Sequence, residues 1–520
     1  MANASAVQNN QSEKFIRMTT EPVERLVMRL AVPTIISMLV TTFYNLVDTL
    51  FVRQLENDSM VAAVGVVLPL MSIIQAFGFF CGHGSGNYIS RALGRRDTED
   101  AETMASTGFF YAVFFGLSIS VLGLLFLEPL GILLGAKTEA TLASTVDYMR
   151  WILLSCPLQC GAIVINNQLR MQGNAMFAMI GLTTGAVLNC VLDPLFIFAA
   201  GDPLFGGAVT MPMGLGMGVG GAACATAISQ SVSFVLLAIG MLRSDTIRIR
   251  IRRIRLRYFS GIVQGGLPSL ARQGLASVAT ACLNHAVGLF LLDGIMIDAV
   301  QAAMMGVSKI TLFLSSALIG FGQGFQPVCG FNYGAKKYDR VLEAYFFCVR
   351  VAAVALVIFA VLGFVFAGPI TDAVAGSTAL SAEIAAFTFR AQLIVFPLQA
   401  WVMLCNMMLQ NIGMTFRATV VAMARQGLAF IPMVFVLPAV LQLCGAEPLL
   451  GLECAQAAAD VISFLISLPI GIGVIREMRE AMQKELLQVP PQRTYNSSFN
   501  FSEKKTNSKH SKTRVIEKSL

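Results

Sequence analysis

The sequence contains twelve apolar stretches, each long enough to cross a lipid bilayer as a helix, for which about 20 mostly apolar residues suffice. They run over residues 30–52, 60–88, 105–127, 147–169, 177–199, 219–242, 261–291, 300–328, 346–367, 387–409, 418–441 and 454–475. Only 13% of the 520 residues are charged, whereas a soluble domain carries about 25%. The sequence therefore predicts an all-α integral membrane protein with twelve transmembrane helices.

Lysine and arginine are concentrated in alternate connecting segments. The other connections hold only Arg53 and Lys137. Since positive charge in short loops marks the cytoplasmic side, both termini of this multi-pass protein are predicted to be cytoplasmic. The predicted divisions are a cytoplasmic N-terminal segment (1–29), an N-lobe (30–242), a basic cytoplasmic linker (243–260), a C-lobe (261–475) and a basic, disordered cytoplasmic tail (476–520).

The two lobes are predicted to be copies of one another. Pro157-Leu158-Gln159 recurs 240 positions later as Pro397-Leu398-Gln399, and Gly82-His83-Gly84 aligns with Gly322-Gln323-Gly324. Each copy holds six spans, and because six is even the copies share one orientation, as parallel repeats do. The expected architecture is two pseudo-symmetric six-helix bundles with a cleft between them. Alternating-access carriers bind substrate and coupling ion near the midplane of such an arrangement.

Two carboxylates lie well inside the predicted spans of the N-lobe, where an ionisable side chain is unfavourable without a partner or a function. They are Asp48 and Asp193, and Asn189 shares a helix face with Asp193 at i, i+4. With the hydroxyl of Thr226 they could form an oxygen-rich cage for a hard cation such as Na⁺. Alternatively, one carboxyl could carry a proton, or both could bond to polar neighbours near the span ends.

The C-lobe has no acid at the positions that match Asp48 and Asp193. It has Asp460 in the last span, together with the cations Arg272, Lys309 and Arg425. Two interpretations stay open, buried ion pairs that stabilise the bundle and charged groups that line a cavity.

A substrate cavity is predicted from polar and flexible side chains inside the spans. Methionine numbers 26, and its flexible thioether suits a cavity that accepts many apolar shapes, although it is also common in any membrane helix. The candidate cavity residues are Asn45, Gln172, Gln273, Asn284, Met407 and Asp460.

Motifs of soluble enzymes give no competing interpretation. Gly216-x-Gly218-x-x-Gly221 fits a dinucleotide fingerprint, but no strand precedes it and a membrane helix follows. The sequence has no Walker lysine motif and its histidines have no ligand-spaced partners. We therefore expect no catalytic residues, no cofactor beyond a coupling ion, no direct use of ATP and no nucleic-acid partner.

Several segments resemble the multidrug and toxic compound extrusion (MATE) family, in particular its bacterial members. The resemblance covers about residues 25–478 and rests on Leu30–Pro33, Tyr44–Val52, Arg170–Asn174, Asn189–Pro194, Gly220–Thr226, Gly322–Pro327 and Asn332–Ala335. It implies a V-shaped pair of six-helix bundles that expels organic and often cationic drugs in exchange for Na⁺ or H⁺. We expect the protein to be a monomer in the bacterial inner membrane.

The same resemblance implies that Asp48, Asn189, Asp193 and Thr226 form the N-lobe cation site. Other branches of the family also use acids in the seventh and tenth helices. Here those helices offer no interior carboxylate, and their polar residues are Arg272, Gln273, Asn284, Arg390 and Gln392. The competing functions are a flippase for lipid-linked oligosaccharide, which would need a cationic cavity, and a receptor that transports nothing.

Overall fold

The computed structural model is nearly all-helical, and it describes residues 2–488 except 56, 205–208, 245, 292–293 and 376–377. Its α-helices are Ala2–Thr20 (α1), Val23–Arg53 (α2), Asp58–Gly94 (α3), Thr98–Leu125 (α4), Leu127–Leu134 (α5), Glu139–Met171 (α6), Ala175–Ile197 (α7), Gly218–Leu242 (α8), Phe259–Phe290 (α9), Gly294–Gly334 (α10), Tyr338–Val365 (α11), Ala367–Ala375 (α12), Ala379–Val395 (α13), Gln399–Ile412 (α14), Thr415–Met423 (α15), Phe430–Leu443 (α16) and Pro448–Gln488 (α17). Two short antiparallel strands, Pro203–Leu204 (β1) and Val209–Thr210 (β2), lie between α7 and α8.

Within the described residues, eleven helical segments are long and apolar enough to cross a membrane. The predicted span at 261–291 corresponds to α9, which has 32 residues but falls outside this group. Polar side chains, among them Arg272 and Asn284, interrupt its apolar sequence.

Large apolar side chains such as Leu125 (70% exposed) and Val361 (58% exposed) cover the outer surface, as expected where helices face lipid rather than water.

Helix ends differ from the sequence expectation at both termini. The N-terminal segment contains α1, and α2 begins at Val23 rather than at residue 30. The last helix continues to Gln488, so the expectation that the whole of 476–520 is disordered is wrong for 476–488. That stretch is rich in helix-forming residues and carries an i, i+4 ion pair, Arg476 with Glu480 at 3.0 Å. Residues 489–520 lie outside the described part of the chain.

We use the names N-lobe for α2–α8 and C-lobe for α9–α17, and these two halves share local geometry at the offset of 240 seen in the sequence. Asn166 Nδ2 donates to the carbonyl of Ala178 at 2.9 Å, and Asn406 Nδ2 donates to that of Ala418 at 2.8 Å. Arg96 and Lys336 are the non-glycine residues with positive φ in the described chain, at 62° and 60°. Shared hydrogen bonds and shared unusual backbone angles support a duplication.

The lobes approach closely where α3 crosses α10. A Cβ atom at Gly94 would overlap the carbonyl oxygen of Phe331, and a Cβ atom at Gly334 would overlap that of Arg91. This reciprocal contact requires glycine in both copies. It lies beside the basic loops of Arg96 and Lys336, and we call this side of the molecule the basic-loop end. Elsewhere α2 packs along α10 and α3 along α9.

Helix α1 lies across both lobes at the basic-loop end. On the N-lobe side Lys14 Nζ donates to Asn174 Oδ1 at 2.8 Å and, in the linker, to Thr246 Oγ1 at 3.0 Å. On the C-lobe side Asn332 Nδ2 donates to the carbonyl of Met18 at 3.1 Å. The Met18 side chain is fully buried. The segment before the first span is therefore part of the packed structure.

Candidate cation and substrate site

The two N-lobe carboxylates come from helices that pack against each other, α2 and α7. Asp193 is fully buried, Asn189 one turn earlier is 2% exposed, and Asp48 is half-buried. Asp48 and Asp193 lie close enough for their charges to interact. The structure thus brings together two acids that are far apart in the sequence.

Hydrogen bonds join the predicted residues of this cluster. Asn189 Nδ2 donates to Asp193 Oδ1 at 2.9 Å and to Thr226 Oγ1, on α8, at 3.3 Å. Three other oxygens, Asp48 Oδ1, Asn189 Oδ1 and Asp193 Oδ2, are buried and have no hydrogen-bond partner among the described residues. Unsatisfied buried acceptors are uncommon and unfavourable. A bound cation, or a proton on a carboxyl, would satisfy them.

Two tyrosines that the sequence analysis did not single out border this cluster. Tyr44 and Tyr148 lie within electrostatic reach of both Asp48 and Asp193. Tyr44 precedes Asp48 by one helical turn, a spacing that could have indicated it. Tyr148 comes from α6 and is 1% exposed, and no sequence pattern connects it with either acid.

Both carboxylate oxygens of Asp460, the acid of the C-lobe, accept hydrogen bonds. Its Oδ1 accepts from Arg425 Nε at 2.8 Å and from Gln456 Nε2 at 3.0 Å, while its Oδ2 accepts from Gln399 Nε2 at 2.8 Å. Asp460 is only 3% exposed. Arg425 belongs to a π-helical stretch, 424–429, between α15 and α16, a distortion found frequently at functional sites. Asp460 therefore does not offer a free carboxylate to a cavity in this structure, and its contact with Arg425 is a buried ion pair, one of the two roles that the sequence left open.

The remaining predicted cavity residues lie on α2, α9 and α14 and differ in exposure. Asn45 and Asn284 are exposed and Gln273 is half-buried. Met407, also half-buried, packs against Gly322 of α10 within the C-lobe.

Gln172, predicted to line the cavity, packs against another segment of the chain in this structure. Gln172 is fully buried at the end of α6, where its Oε1 accepts from Ser244 Oγ at 2.9 Å. This hydrogen bond ties α6 to the segment that follows α8. A glutamine near a span end looks the same in sequence whether it faces a cavity or another helix.

A polar seam between the lobes was missed by the sequence analysis. Arg170, 2% exposed, donates from Nη1 to Gln323 Oε1 at 2.6 Å. His83 Nδ1 lies 2.8 Å from Ser269 Oγ. His83 and Gln323 are equivalent positions of the repeat, and each contacts the opposite lobe. The aligned segments Gly82-His83-Gly84 and Gly322-Gln323-Gly324 carry this signal in the sequence.

Comparison with known proteins places this architecture in a family. The model of the MatE family matches residues 33–195 and 285–436, one segment in each lobe. The chain belongs to the MatE family.

Curated relatives align over most of the chain. Multidrug export protein MepA of Staphylococcus aureus (strain MRSA252) is 25% identical over 468 residues, which are 88% of this chain and 97% of the relative. Multidrug export protein MepA of Staphylococcus haemolyticus (strain JCSC1435) is 27% identical over 441 residues, which are 84% of this chain and 91% of the relative.

Solved MATE structures share the fold. A crystal structure of MATE in complex with MaL6 superposes with a TM-score of 0.80 at 24% identity, covering 89% of this chain and 99% of that one. The outward-facing structure of a multidrug resistance MATE family transporter of the MOP superfamily superposes with a TM-score of 0.79 at 23% identity. The superposition covers 89% of this chain and 98% of that one. The predicted all-helical membrane architecture of the MATE type is thereby confirmed.

Proposed function

We propose that this protein is a secondary active multidrug exporter that expels organic, often cationic, compounds in exchange for Na⁺ or H⁺. Its curated relatives are named as multidrug export proteins. The observation that carries the proposal is the set of three buried oxygens at Asp48, Asn189 and Asp193 that have no donor among the residues that the structure describes. A membrane protein gains nothing in stability from such a cluster unless a cation or a proton completes it.

The chemistry of the cluster fits a hard cation. Carboxylate, amide and hydroxyl oxygens are the ligands that such ions prefer, and Asp48, Asp193, Asn189 and Thr226 supply all three kinds. Asn189 uses its amide N–H group to orient Asp193 and Thr226, which leaves its own oxygen available. A proton shared between the carboxyls would satisfy the same acceptors, so both coupling ions are compatible with the donor set.

Helix α2 connects the ion site to the rest of the molecule. It packs against α7, which carries Asp193, and along α10 of the C-lobe. Neutralising Asp48 and Asp193 would remove the repulsion between α2 and α7. The resulting movement of α2 would change the contact between the lobes. Exchange follows if the cation and the drug favour different arrangements of α2, because ligands with equal preference would shift nothing.

The orientation belongs to the proposal. In this proposal the basic-loop end, the linker at 243–260 and both chain termini lie in the cytoplasm, and the protein is a monomer in the bacterial inner membrane. The positive charge of the basic loops supports this orientation. The small-molecule drugs are then taken up from the cytoplasmic side and released outside. The chain has a transport role and no enzymatic one.

The test is transport of a fluorescent cationic dye by purified protein in vesicles, with Na⁺ and H⁺ gradients imposed separately. We expect dye movement with one gradient and none without a gradient. Asp48→Asn should abolish the coupled movement while the protein remains in the membrane. Asp372→Asn, which changes an exposed acid on α12, is the matched control and should transport normally. Normal coupled transport by Asp48→Asn would refute the assignment of the ion site.

A further inference from the structure

The linker between the lobes is attached to α4 through its backbone. The backbone N–H of Arg250 donates to Ser106 Oγ at 2.9 Å, and that of Arg255 donates to Thr107 Oγ1 at 3.1 Å. Ser106 and Thr107 are almost fully buried. These two hydrogen bonds fix the path of the linker along α4 of the N-lobe.

Two side chains of the linker strengthen this attachment. Arg253 lies 3.1 Å from Glu99 and 3.2 Å from Glu102, measured between nitrogen and carboxylate oxygen. The hydroxyl of Tyr258 donates to Asp100 Oδ1 at 2.7 Å. All three acids belong to the first turns of α4. The charge of Arg253 is therefore compensated within the N-lobe.

The other arginines of the linker have no such partner. Each is exposed and has no ion pair among the described residues. Apolar side chains lie between them, of which Ile251 is 85% and Leu256 66% exposed. Exposed arginine beside exposed isoleucine and leucine is typical of a segment that lies in a membrane interface. The unpaired arginines are Arg243, Arg248, Arg250, Arg252, Arg255 and Arg257.

The contacts with α4 place the linker at the edge of the apolar outer surface. Phe110 and Phe114 follow Ser106 on α4 at four-residue steps, so the three lie on one side of the helix. The two phenylalanines are 38% and 50% exposed, as expected of side chains that face lipid. Four residues of a helix rise about 6 Å, which is comparable to the depth of a headgroup layer. The linker thus lies at the level of lipid headgroups.

A cavity of about 520 Å³ opens between the linker and the start of α4, and Arg255, Arg257 and Asp97 are among its lining residues. Asp97 Oδ1 accepts from the backbone N–H of Asp100 at 3.0 Å. Its negative charge is stabilised there by the N-terminus of α4. Arg255 and Arg257 have no comparable partner among the described side chains. The cavity is therefore suited to an anion that meets these two guanidinium groups.

We propose that Arg255 and Arg257 bind the phosphate of an anionic phospholipid, whose acyl chains contact Ile251 and Leu256. Guanidinium groups bind phosphate through charge-assisted N–H donors. A free phosphate ion would offer the same oxygens but would leave both apolar side chains uncovered, so the surface favours a lipid. A bound lipid adds to the contacts that hold the linker on the N-lobe. The proposal does not depend on the export function.

The first experiment compares two lipids that carry the same fluorescent acyl chain, phosphatidylglycerol and phosphatidylcholine. Each is mixed with the full-length protein in detergent micelles, and binding is followed by fluorescence anisotropy. We expect phosphatidylglycerol to bind more tightly. Replacing both arginines, Arg255→Gln with Arg257→Gln, should weaken phosphatidylglycerol binding about 30-fold, since each arginine near an anionic lipid contributes a factor of about five. Phosphatidylcholine binding should not change.

Two further variants separate a defined site from net charge and from misfolding. Arg476→Gln with Arg479→Gln removes the same charge from exposed positions of α17 and should bind phosphatidylglycerol like the wild type. An equal loss in both glutamine variants would overturn the proposal in favour of diffuse attraction. Arg255→Lys with Arg257→Lys should bind more tightly than the corresponding glutamine variant, because lysine also binds phosphate as a point charge. Equal weakness of these two would contradict the proposed contact.

Two measurements test the lipid as the source of the phosphate. An equal concentration of inorganic phosphate should not displace phosphatidylglycerol, and displacement would overturn the proposal in favour of a free ion. In nanodiscs, amide exchange at 246–257 should be at least about fivefold slower with phosphatidylglycerol than with phosphatidylcholine alone. Equal exchange in the two lipids would also overturn it. Neither readout requires transport, so a failure of the export proposal would leave both results interpretable.

Discussion

Arg170 of the N-lobe donates a 2.6 Å hydrogen bond to the side-chain oxygen of Gln323 in the C-lobe. Arg170 is 2% exposed and Gln323 5%. A second guanidinium nitrogen donates to Asn167 of the same lobe, and Nε has no partner among the described residues. Among the described residues, the guanidinium of Arg170 thus donates only to neutral side-chain oxygens. The hydrogen bond to Gln323 is the one that joins the two lobes.

We expect Gln323→Leu to loosen the contact between the lobes at the basic-loop end. A hydrogen bond to a charged group contributes about 1.5–3 kcal/mol, and its loss leaves part of Arg170 unsatisfied. Hydrogen–deuterium exchange should therefore be faster at 91–97 and 331–337, where α3 and α10 meet. Gln442→Leu, at an exposed glutamine, is the control. Unchanged exchange in Gln323→Leu would mean that the backbone contacts alone hold the lobes together.

Thr226→Val should weaken binding of the coupling ion without abolishing transport. The substitution keeps the shape of the side chain but removes the hydroxyl that accepts from Asn189 at 3.3 Å. A neutral hydrogen bond contributes about 0.5–1.5 kcal/mol, so the ion concentration for half-maximal dye transport should rise about 2- to 12-fold. Thr226→Ser retains the hydroxyl and should behave like the wild type. A large effect of Thr226→Ser would point to packing of the methyl group instead.

The ion pair of Arg425 with Asp460 should be important for stability. Removing one partner of a buried pair costs about 3–5 kcal/mol, whereas replacing both partners with apolar residues is often neutral. Asp460→Leu should therefore lower the unfolding temperature in detergent, and adding Arg425→Met should restore much of it. Arg476 and Glu480 form an exposed pair, 81% and 53% accessible, and Arg476→Gln should have little effect. Full stability of Asp460→Leu alone would contradict a structural role for this pair.

The sequence predicted the features that depend on periodicity and composition. The helices, the offset of 240 and the pairing of Asn189 with Asp193 follow from apolar length, repetition and i, i+4 spacing. The contact of Arg170 with Gln323 could not be predicted, because each residue has several possible neighbours until the lobes are placed together. The contact of Gln172 with Ser244 could not be predicted for the same reason, since Ser244 lies on a segment whose packing the sequence does not encode locally.

Helix α1 is expected to restrain separation of the lobes at the basic-loop end, because it contacts both of them. Met18 is fully buried beneath this helix, whereas Ile16 is 53% exposed. Met18→Ala should destabilise the docked position of α1 by about 2–5 kcal/mol, because it removes a buried side chain. Amide exchange within α1 should then become at least about tenfold faster, since 1.4 kcal/mol corresponds to a factor of ten.

Ile16→Ala removes an apolar side chain of similar size from the same helix and should leave exchange within α1 unchanged. If α1 also restrains the lobes, Met18→Ala will raise exchange at 331–337, beyond the helix that carries the substitution. Faster exchange confined to α1 would show that the helix can detach without any effect on the contact between α3 and α10. The two variants therefore separate the docking of α1 from its expected influence on the movement of the lobes.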